Sequence, residues 1–137
     1  MATNIMDSMT LSAAGMRAQG ERIKLITQNV SNIDSMGDKP GADPYRRQTI
    51  TFKEAMDKET GLQMVKADKV GKDNSEFSKR YEPTNPEADA QGYVLYPNIN
   101  TMVEMTDMRE ARRGYEANLN VIEASKAMFS DTLNLIR

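Results

Sequence analysis

The distribution of proline divides this chain into three parts. All five prolines lie between residues 36 and 100, together with five of the eight glycines. Proline breaks a helix because it lacks the amide hydrogen and clashes with the preceding turn, and glycine weakens a helix. The proline-free flanks, each about 35 residues long, are therefore predicted to be long helices. The expected organisation is an N-terminal helix over 1–35, a small insertion over 36–100 and a C-terminal helix over 101–137.

Apolar residues in the first flank repeat every seven positions. One row is Met9, Met16, Ile23 and Val30. The adjoining row is Ile5, Ser12, Gln19, Ile26 and Ile33, so its two middle positions are polar. This pattern predicts a heptad seam with a polar gap, as in a coiled coil.

The second flank keeps an alternating three-four spacing of apolar residues, interrupted by Arg112 and Lys126. A second apolar row lies beside it, at Val121, Met128 and Leu135. Together the rows form an arc wider than one antiparallel partner helix would cover. The rest must be buried by an element from the middle segment, or by a neighbouring copy or related protein. The residues expected on the core seam and subunit interface are Met9, Met16, Ile23, Ile26, Asn29, Val30, Asn32, Ile33, Met105, Met108, Tyr115, Leu119, Ile122, Phe129, Leu133 and Ile136.

Three glycines interrupt the predicted helices, at Gly15, Gly20 and Gly114. Each costs about 1 kcal/mol relative to alanine in a helix interior. Such a cost is either tolerated or repaid by close approach of another backbone or side chain.

Two asparagines, Asn29 and Asn32, lie one turn apart where the first helix is expected to end. Their amides can satisfy the free backbone groups of a helix terminus, which makes them a local cap and turn. They can also bond across to a neighbouring helix and fix its register, as a buried asparagine does in a coiled coil. Both interpretations stay open at the level of sequence.

The middle segment has the composition of short strands and loops. Residues 45–52 and 92–96 are predicted strands because they are β-branched or aromatic and are bounded by Pro and Gly. Residues 52–61 are either a short helix closed by Gly61 or a continuing strand and loop. Residues 66–80, rich in charge, are expected to form an exposed hairpin or mobile loop.

Composition excludes several classes of function. There is no His, Cys or Trp, which removes histidine-based triads, thiol nucleophiles and most zinc sites. An EF-hand loop opening at Asp34 would need Glu where Tyr45 stands. No glycine motif for phosphate is present. We therefore expect neither an enzyme nor a bound cofactor or metal.

The charges also limit the partners. The chain carries 18 basic and 20 acidic residues, with both signs mixed along its length, so no nucleic-acid interface is expected. No apolar run approaches the roughly 18 residues of a membrane span, and residues 1–16 lack the features of a cleavable secretory signal. The protein is expected not to be membrane-embedded and to use another route if it leaves the cytoplasm.

Four segments together resemble the bacterial flagellar basal-body rod proteins. They are AAGMRAQGERIKLITQNVSNID at 13–34, GADPYRRQTITF at 41–52, YEPTNPEADAQGYVLYPNIN at 81–100, and residues 102–137. The N-x-x-N pattern that ends the first helix is shared by rod, hook and hook-associated proteins, whereas NPEADAQGYVLYPN is typical of one proximal rod type. The resemblance covers nearly the whole chain.

This resemblance implies a structural protein of the bacterial flagellum that serves motility. The subunit would be exported by the type III export apparatus without a cleavable signal peptide. It would be built into the proximal rod of the basal body in the periplasmic space. The implied partners are copies of itself, the proximal rod proteins FlgB and FlgF, the distal rod protein FlgG, the basal adaptor FliE and the export apparatus.

Sequence pattern and resemblance indicate the same architecture. It is a helix-dominated α+β fold in which the terminal helices pair as an antiparallel coiled coil around a small β-containing insertion. The expected function is to polymerise through these helices, transmit torque and line the export channel. The alternative is a soluble helical adaptor or export chaperone that binds one partner through the same apolar seam.

Overall fold

The computed structural model describes residues 2–135 and confirms a helix-dominated α+β fold. Two long helices pack against each other, and four strands in two small sheets lie between them in the chain. The elements are α1 (Ala2–Ser31), β1 (Gln48–Met56), β2 (Gln63–Lys72), β3 (Ser78–Tyr81), β4 (Tyr93–Tyr96) and α2 (Thr101–Leu135). Ile136, which we predicted on the seam, lies outside the described residues.

The two helices run antiparallel. Arg22 on α1 pairs with Glu110 on α2, with 3.4 Å between Nη2 and Oε2, and further along α1 Asn29 bonds to Glu104. Residue numbers therefore rise along one helix as they fall along the other. The start of α2 is capped by Asn100, whose Oδ1 accepts the Met102 amide at 3.0 Å, satisfying a backbone donor that has no partner within the helix.

Strands β1 and β2 form a two-stranded sheet joined by a turn at residues 57–61. Gly61 adopts a φ of 69°, a left-handed conformation that favours glycine, and its amide donates to the Asp57 carbonyl at 2.8 Å. Residues 52–56 thus continue the strand, so the helix alternative for 52–61 is wrong. Most of the charged stretch 66–80 is also extended, because β2 and β3 occupy 63–72 and 78–81.

Strands β3 and β4 form a second, antiparallel sheet with Tyr81 opposite Tyr93 and Ser78 opposite Tyr96. Val94 and Tyr96 of β4 are buried. The predicted strand over 92–96 is therefore present. The predicted strand over 45–52 begins at Gln48, because residues 45–47 are occupied by other contacts described below.

The chain groups into two compact units. Of the described residues, the first contains 2–23, Thr51–Lys69 and 108–135, and its buried residues are mostly small: Ser12, Ala14, Ala18, Met64, Ala111 and Ser125. The second contains Lys24–Ile50 and Val70–Asp107, and its buried residues include Leu25, Ile26, Val94 and Tyr96 with the polar Asn29 and Glu104. No helix in residues 2–135 is long and apolar enough to cross a membrane.

Candidate functional site

The buried row of α2 consists of small and polar residues. Glu104, Ala111 and Ser125 are 0%, 0% and 2% exposed, and Asn118, which completes their seven-residue spacing, is half-buried. Ala and Ser allow close approach of a packed neighbour. The helix contact is therefore tight, and it does not use the largest apolar residues of α2.

The apolar row that we predicted on α2 lies one position later, and it faces outward. Met105, Leu119 and Leu133 are 53%, 37% and 53% exposed, in line with Arg112 and Lys126. These two charged residues interrupt the apolar pattern because the row points away from the packed core.

The neighbouring predicted row of α2 lies at the border of the buried face. Met108 and Ile122 are half-buried, whereas Tyr115 and Phe129 remain 37% and 36% exposed. The second exposed row, Val121, Met128 and Leu135, lies on the other side of the buried row, in line with Gly114. We call the apolar residues of all these rows the outer apolar surface of α2: Met105, Met108, Tyr115, Leu119, Val121, Ile122, Met128, Phe129, Leu133 and Leu135.

On α1, the structure places the predicted residues at different depths. Ile26 and Asn29 are buried, at 5% and 1% exposed. The other residues predicted on α1 or just after it are half-buried: Met9, Met16, Ile23, Val30, Asn32 and Ile33. Ala14 and Ala18 are also buried, to about the same depth as Ile26.

Two glycines allow amide side chains to pack between the helices. A methyl group added at Gly15 would meet Nδ2 of Asn118 at 2.8 Å, and one at Gly114 would meet the Gln19 amide at 3.3 Å. Asn118 is held there by donating to the Gly114 carbonyl at 2.9 Å. Gly20, in contrast, has open space beside it. Close approach thus explains two of the three helical glycines.

Asn29 uses both ends of its buried amide to join three chain segments. Its Nδ2 donates to the Gln48 carbonyl at 2.9 Å and to Oε2 of Glu104 at 3.2 Å. Its Oδ1 accepts the Gln48 amide at 2.9 Å and the Tyr45 hydroxyl at 3.1 Å. The interpretation that bonds this residue to a neighbouring helix is thus realised within one chain, between α1, residues 45–48 and α2.

Asn32 makes only local contacts, in contrast to Asn29. Its Nδ2 donates to the Gln28 carbonyl at 2.8 Å, and its Oδ1 accepts the Ser35 hydroxyl at 3.0 Å. Its backbone amide also bonds to the Gln28 carbonyl, which closes the last turn of α1. Of the two asparagines, Asn32 is therefore the one that caps the end of α1.

Arg47 neutralises the fully buried carboxylate of Glu104. Its Nε donates to Oε1 of Glu104 at 2.6 Å, and its terminal nitrogens lie 3.5 Å from carboxylate oxygens of Asp73 and Asp107. Burial acts to lower the pKa of Arg47, but Glu104 and Asp73 together hold the pKa above its usual value. Burial and the charge of Glu104 likewise raise the pKa of Tyr45. We call Asn29, Tyr45, Arg47 and Glu104 the polar anchor.

The loop at 73–75 supports the anchor from the side of the strands. The Asp73 amide donates to the Arg47 carbonyl at 2.8 Å, and the Arg47 amide donates to Oδ1 of Asn98 at 2.9 Å. Hydrogen bonds from Ser75, first from its backbone and then from its side chain, hold the pKa of Asp73 below its usual range, with help from Arg47. This carboxylate is therefore charged at neutral pH, as its position beside Arg47 requires.

Sequence reasoning found Asn29 but missed the residues that bond to it. Tyr45 and Arg47 were assigned only to a strand, and Glu104 is separated from Arg47 by 57 positions. The one available signal is that Glu104, Ala111, Asn118 and Ser125 share a seven-residue repeat. Nothing in their side chains distinguishes that row from a solvent-facing one.

Comparison with known proteins gives consistent results along the chain. Residues 90–135 match a family described as flagellar basal body rod FlgEFG protein C-terminal. The chain is 42% identical, over 93% of its length and 91% of the relative, to a flagellar basal-body rod protein FlgC of Agrobacterium fabrum. It is 32% identical to the Bacillus subtilis protein of that name, over 93% of this chain and 95% of the relative. It is 33% identical to the one from Salmonella typhimurium, over 96% of both chains.

Proposed function

Because this chain belongs to the FlgC family of flagellar basal-body rod proteins, we propose that it polymerises through the outer apolar surface of α2. The protein is a structural subunit of the flagellar rod, from a family of structural proteins. We propose the surface through which it polymerises, the partners that it contacts and its mechanical role. The observation that carries the proposal is the outward position of an apolar row that runs along α2.

The outer apolar surface has the properties of an interface between subunits. Tyr115, Leu119, Phe129 and Leu133 are each more than a third exposed. Transfer of such side chains out of water is favourable, and an extended apolar patch on an isolated chain marks an interaction site. Because the row spans most of α2, a neighbouring helix lying along it would cover the row over several turns.

Small residues between α1 and α2 bear on the stiffness of the helix pair. Ala111 and Gly114 allow α1 to lie close to α2, so the helix pair keeps its larger residues for its outer surface. Packed helices transmit strain because protein interiors have low compressibility. We therefore assign to the helix pair the transmission of torque, and to the assembled subunits the lining of the export channel.

Partners and location follow from the proposed place in the rod. We expect contacts with copies of the same chain and with FlgB, FlgF, FlgG and FliE, in the periplasmic part of the basal body after passage through the type III export apparatus. A soluble adaptor or export chaperone would also display an apolar helix face. That alternative is not favoured, because the similar proteins carry the name of a rod component.

The proposal is tested by placing a charge on the outer surface. Leu119→Asp should abolish rod completion and swimming, because a carboxylate buried without a partner at an interface costs several kcal/mol. The fold of the subunit should survive, since Leu119 is 37% exposed. The readouts are motility, the yield of purified basal bodies and circular dichroism of the subunit.

Two control variants distinguish loss of the apolar surface from a general effect of changing the charge. Ala117→Asp adds the same charge to an exposed position of α2, in a row that includes Glu110 and Asp131. Lys69→Ala removes an exposed charge from β2. Both variants should swim normally. Normal rods in Leu119→Asp would overturn the proposed surface, and a small defined complex in place of rods would favour the adaptor.

A further inference from the structure

Methionine supplies a chemically labile component of the outer apolar surface. The chain has 11 methionines and no cysteine, so methionine is its only oxidisable sulfur. Met64 is buried at 5% exposed. Among the methionines that the structure describes, five others are more than half exposed: Met6 (60%), Met56 (65%), Met102 (75%), Met105 (53%) and Met128 (55%).

Two of these methionines lie within the apolar rows of α2. Met105 stands in the row of Leu119 and Leu133, at a seven-residue spacing. Met128 stands between Val121 and Leu135 at the same spacing. Each outward row of α2 thus contains one accessible thioether. Met56, at the end of β1, is as exposed as these two but lies outside both rows.

We propose that Met105 and Met128 are a modification site at which oxidation by peroxide blocks assembly of the subunit without unfolding it. The inference rests on the proposed polymerisation through the outer apolar surface. The sulfur lone pair attacks one peroxide oxygen, the O–O bond breaks, and that oxygen forms a sulfoxide. The second oxygen leaves as water after proton transfer. Sulfur is oxidised by two electrons and the peroxide is reduced by two.

Methionine sulfoxide makes the outer apolar surface more polar, which opposes association. A sulfoxide is polar and accepts hydrogen bonds, whereas the thioether it replaces is apolar, so burial at an interface then leaves the new oxygen without a partner. Both sites are affected together because both are accessible in the unassembled chain. Met64 is protected by its burial, so the contacts it makes inside its own unit persist. The change is reversible, because sulfoxides are reduced back enzymatically.

The test exposes the full-length subunit to hydrogen peroxide before assembly. Peptide mass spectrometry should show Met105 and Met128 gaining oxygen roughly tenfold faster than Met64, in proportion to their exposure. Circular dichroism should stay unchanged while assembly, followed by sedimentation and electron microscopy, is lost. Treatment with methionine sulfoxide reductases should restore it.

Leucine variants decide which methionines matter. Met105→Leu with Met128→Leu keeps apolar volume but cannot be oxidised, so this double variant should assemble before and after peroxide treatment. Met56→Leu is the matched control and should lose assembly as the parent chain does. Loss of assembly in the oxidised double variant, or unfolding of the oxidised parent chain, would overturn the inference. Failure of the proposed surface itself would show separately, as normal assembly of untreated Leu119→Asp.

Discussion

Replacing Asn29 with aspartate tests the polar anchor by changing a single atom of its central side chain. The Asn29→Asp side chain has the same size, and its oxygen can still accept the Tyr45 hydroxyl and the Gln48 amide. The two donations from Nδ2, to the Gln48 carbonyl and to Glu104, are lost. A second carboxylate also comes within about 3 Å of Glu104, as the present 3.2 Å contact requires.

The expected loss follows from the contacts removed. The bond to the Gln48 carbonyl is neutral and contributes about 1 kcal/mol, and the bond to the charged Glu104 contributes about 1.5–3 kcal/mol. Glu104 is 0% exposed, so no solvent replaces the missing donor. The free energy of unfolding should therefore fall by about 2.5–4 kcal/mol at neutral pH, a large part of the stability of a small domain.

The defect should shrink on acidification. The new carboxyl is buried beside Glu104, so its folded pKa lies above its unfolded value of about 3.9. A group with a raised folded pKa favours the folded state most at low pH, and this contribution is lost as pH rises through the folded pKa. When protonated, it can also donate a hydrogen bond to Glu104. The difference in stability from the parent chain should thus be smaller at about pH 5 than at about pH 7.

Urea unfolding followed by circular dichroism measures the effect, and Asn32→Asp provides the matched control. Asn32 makes only the local bonds of the helix end. Its replacement loses the exposed bond from Nδ2 to the Gln28 carbonyl and adds a negative charge near a helix C-terminus, which together cost about 1–2 kcal/mol. Equal losses in the two variants, or a loss at position 29 that does not change with pH, would refute the assignment of Asn29 to the anchor.

Two further predictions concern the helix glycines and the acid side of the stability profile. Gly20→Ala should stabilise the chain by about 1 kcal/mol, since the added methyl meets nothing within 4 Å. Gly15→Ala should not give this stabilisation, because its methyl would clash with the Asn118 side chain. Adding Asn118→Ala to Gly15→Ala should restore the stabilisation, as a double-mutant cycle measured by urea unfolding would show. If the effects of the two substitutions are simply additive, there is no clash. The depressed pKa of Asp73, held down by Ser75, stabilises the fold above about pH 4 and ceases to do so as pH falls through the folded pKa. In Asp73→Asn the free energy of unfolding should depend less steeply on pH in this acid range, as measured by acid unfolding. A slope equal to that of the parent chain would contradict the prediction.

The helices could be predicted because their signal is local. Proline is excluded from both flanks and apolar residues recur at helical spacing, so α1 and α2 end within a few residues of the expected bounds. Strands β2 and β3 gave no such signal. Only Met64 of β2 is buried, and β3 is exposed throughout, so neither shows the alternation of apolar and polar residues that identifies a half-buried strand. Their charge content is typical of a loop.

The contact between the helices was harder to predict than the helices themselves. Apolar periodicity selects large residues, and here the large residues lie outside while Ala111 and Ser125 are buried. A subunit with a second packing surface has two candidate faces, and hydrophobicity alone cannot tell which one is satisfied within the chain. The glycines gave the better indication, because Gly15 and Gly114 both mark positions where an amide packs between helices.

The anchor also explains how a contact made of small residues keeps its register. Alanine and serine on a helix face leave little shape to resist sliding by one heptad. Sliding would remove Asn29 from Glu104 and Glu104 from Arg47, and a buried carboxylate without its partner costs about 3–5 kcal/mol. The anchor therefore determines how α1 and α2 pair within its own compact unit, as a buried asparagine does in coiled coils. The proposed polymerisation requires Leu119 and Leu133 to face outward in the same direction in every copy.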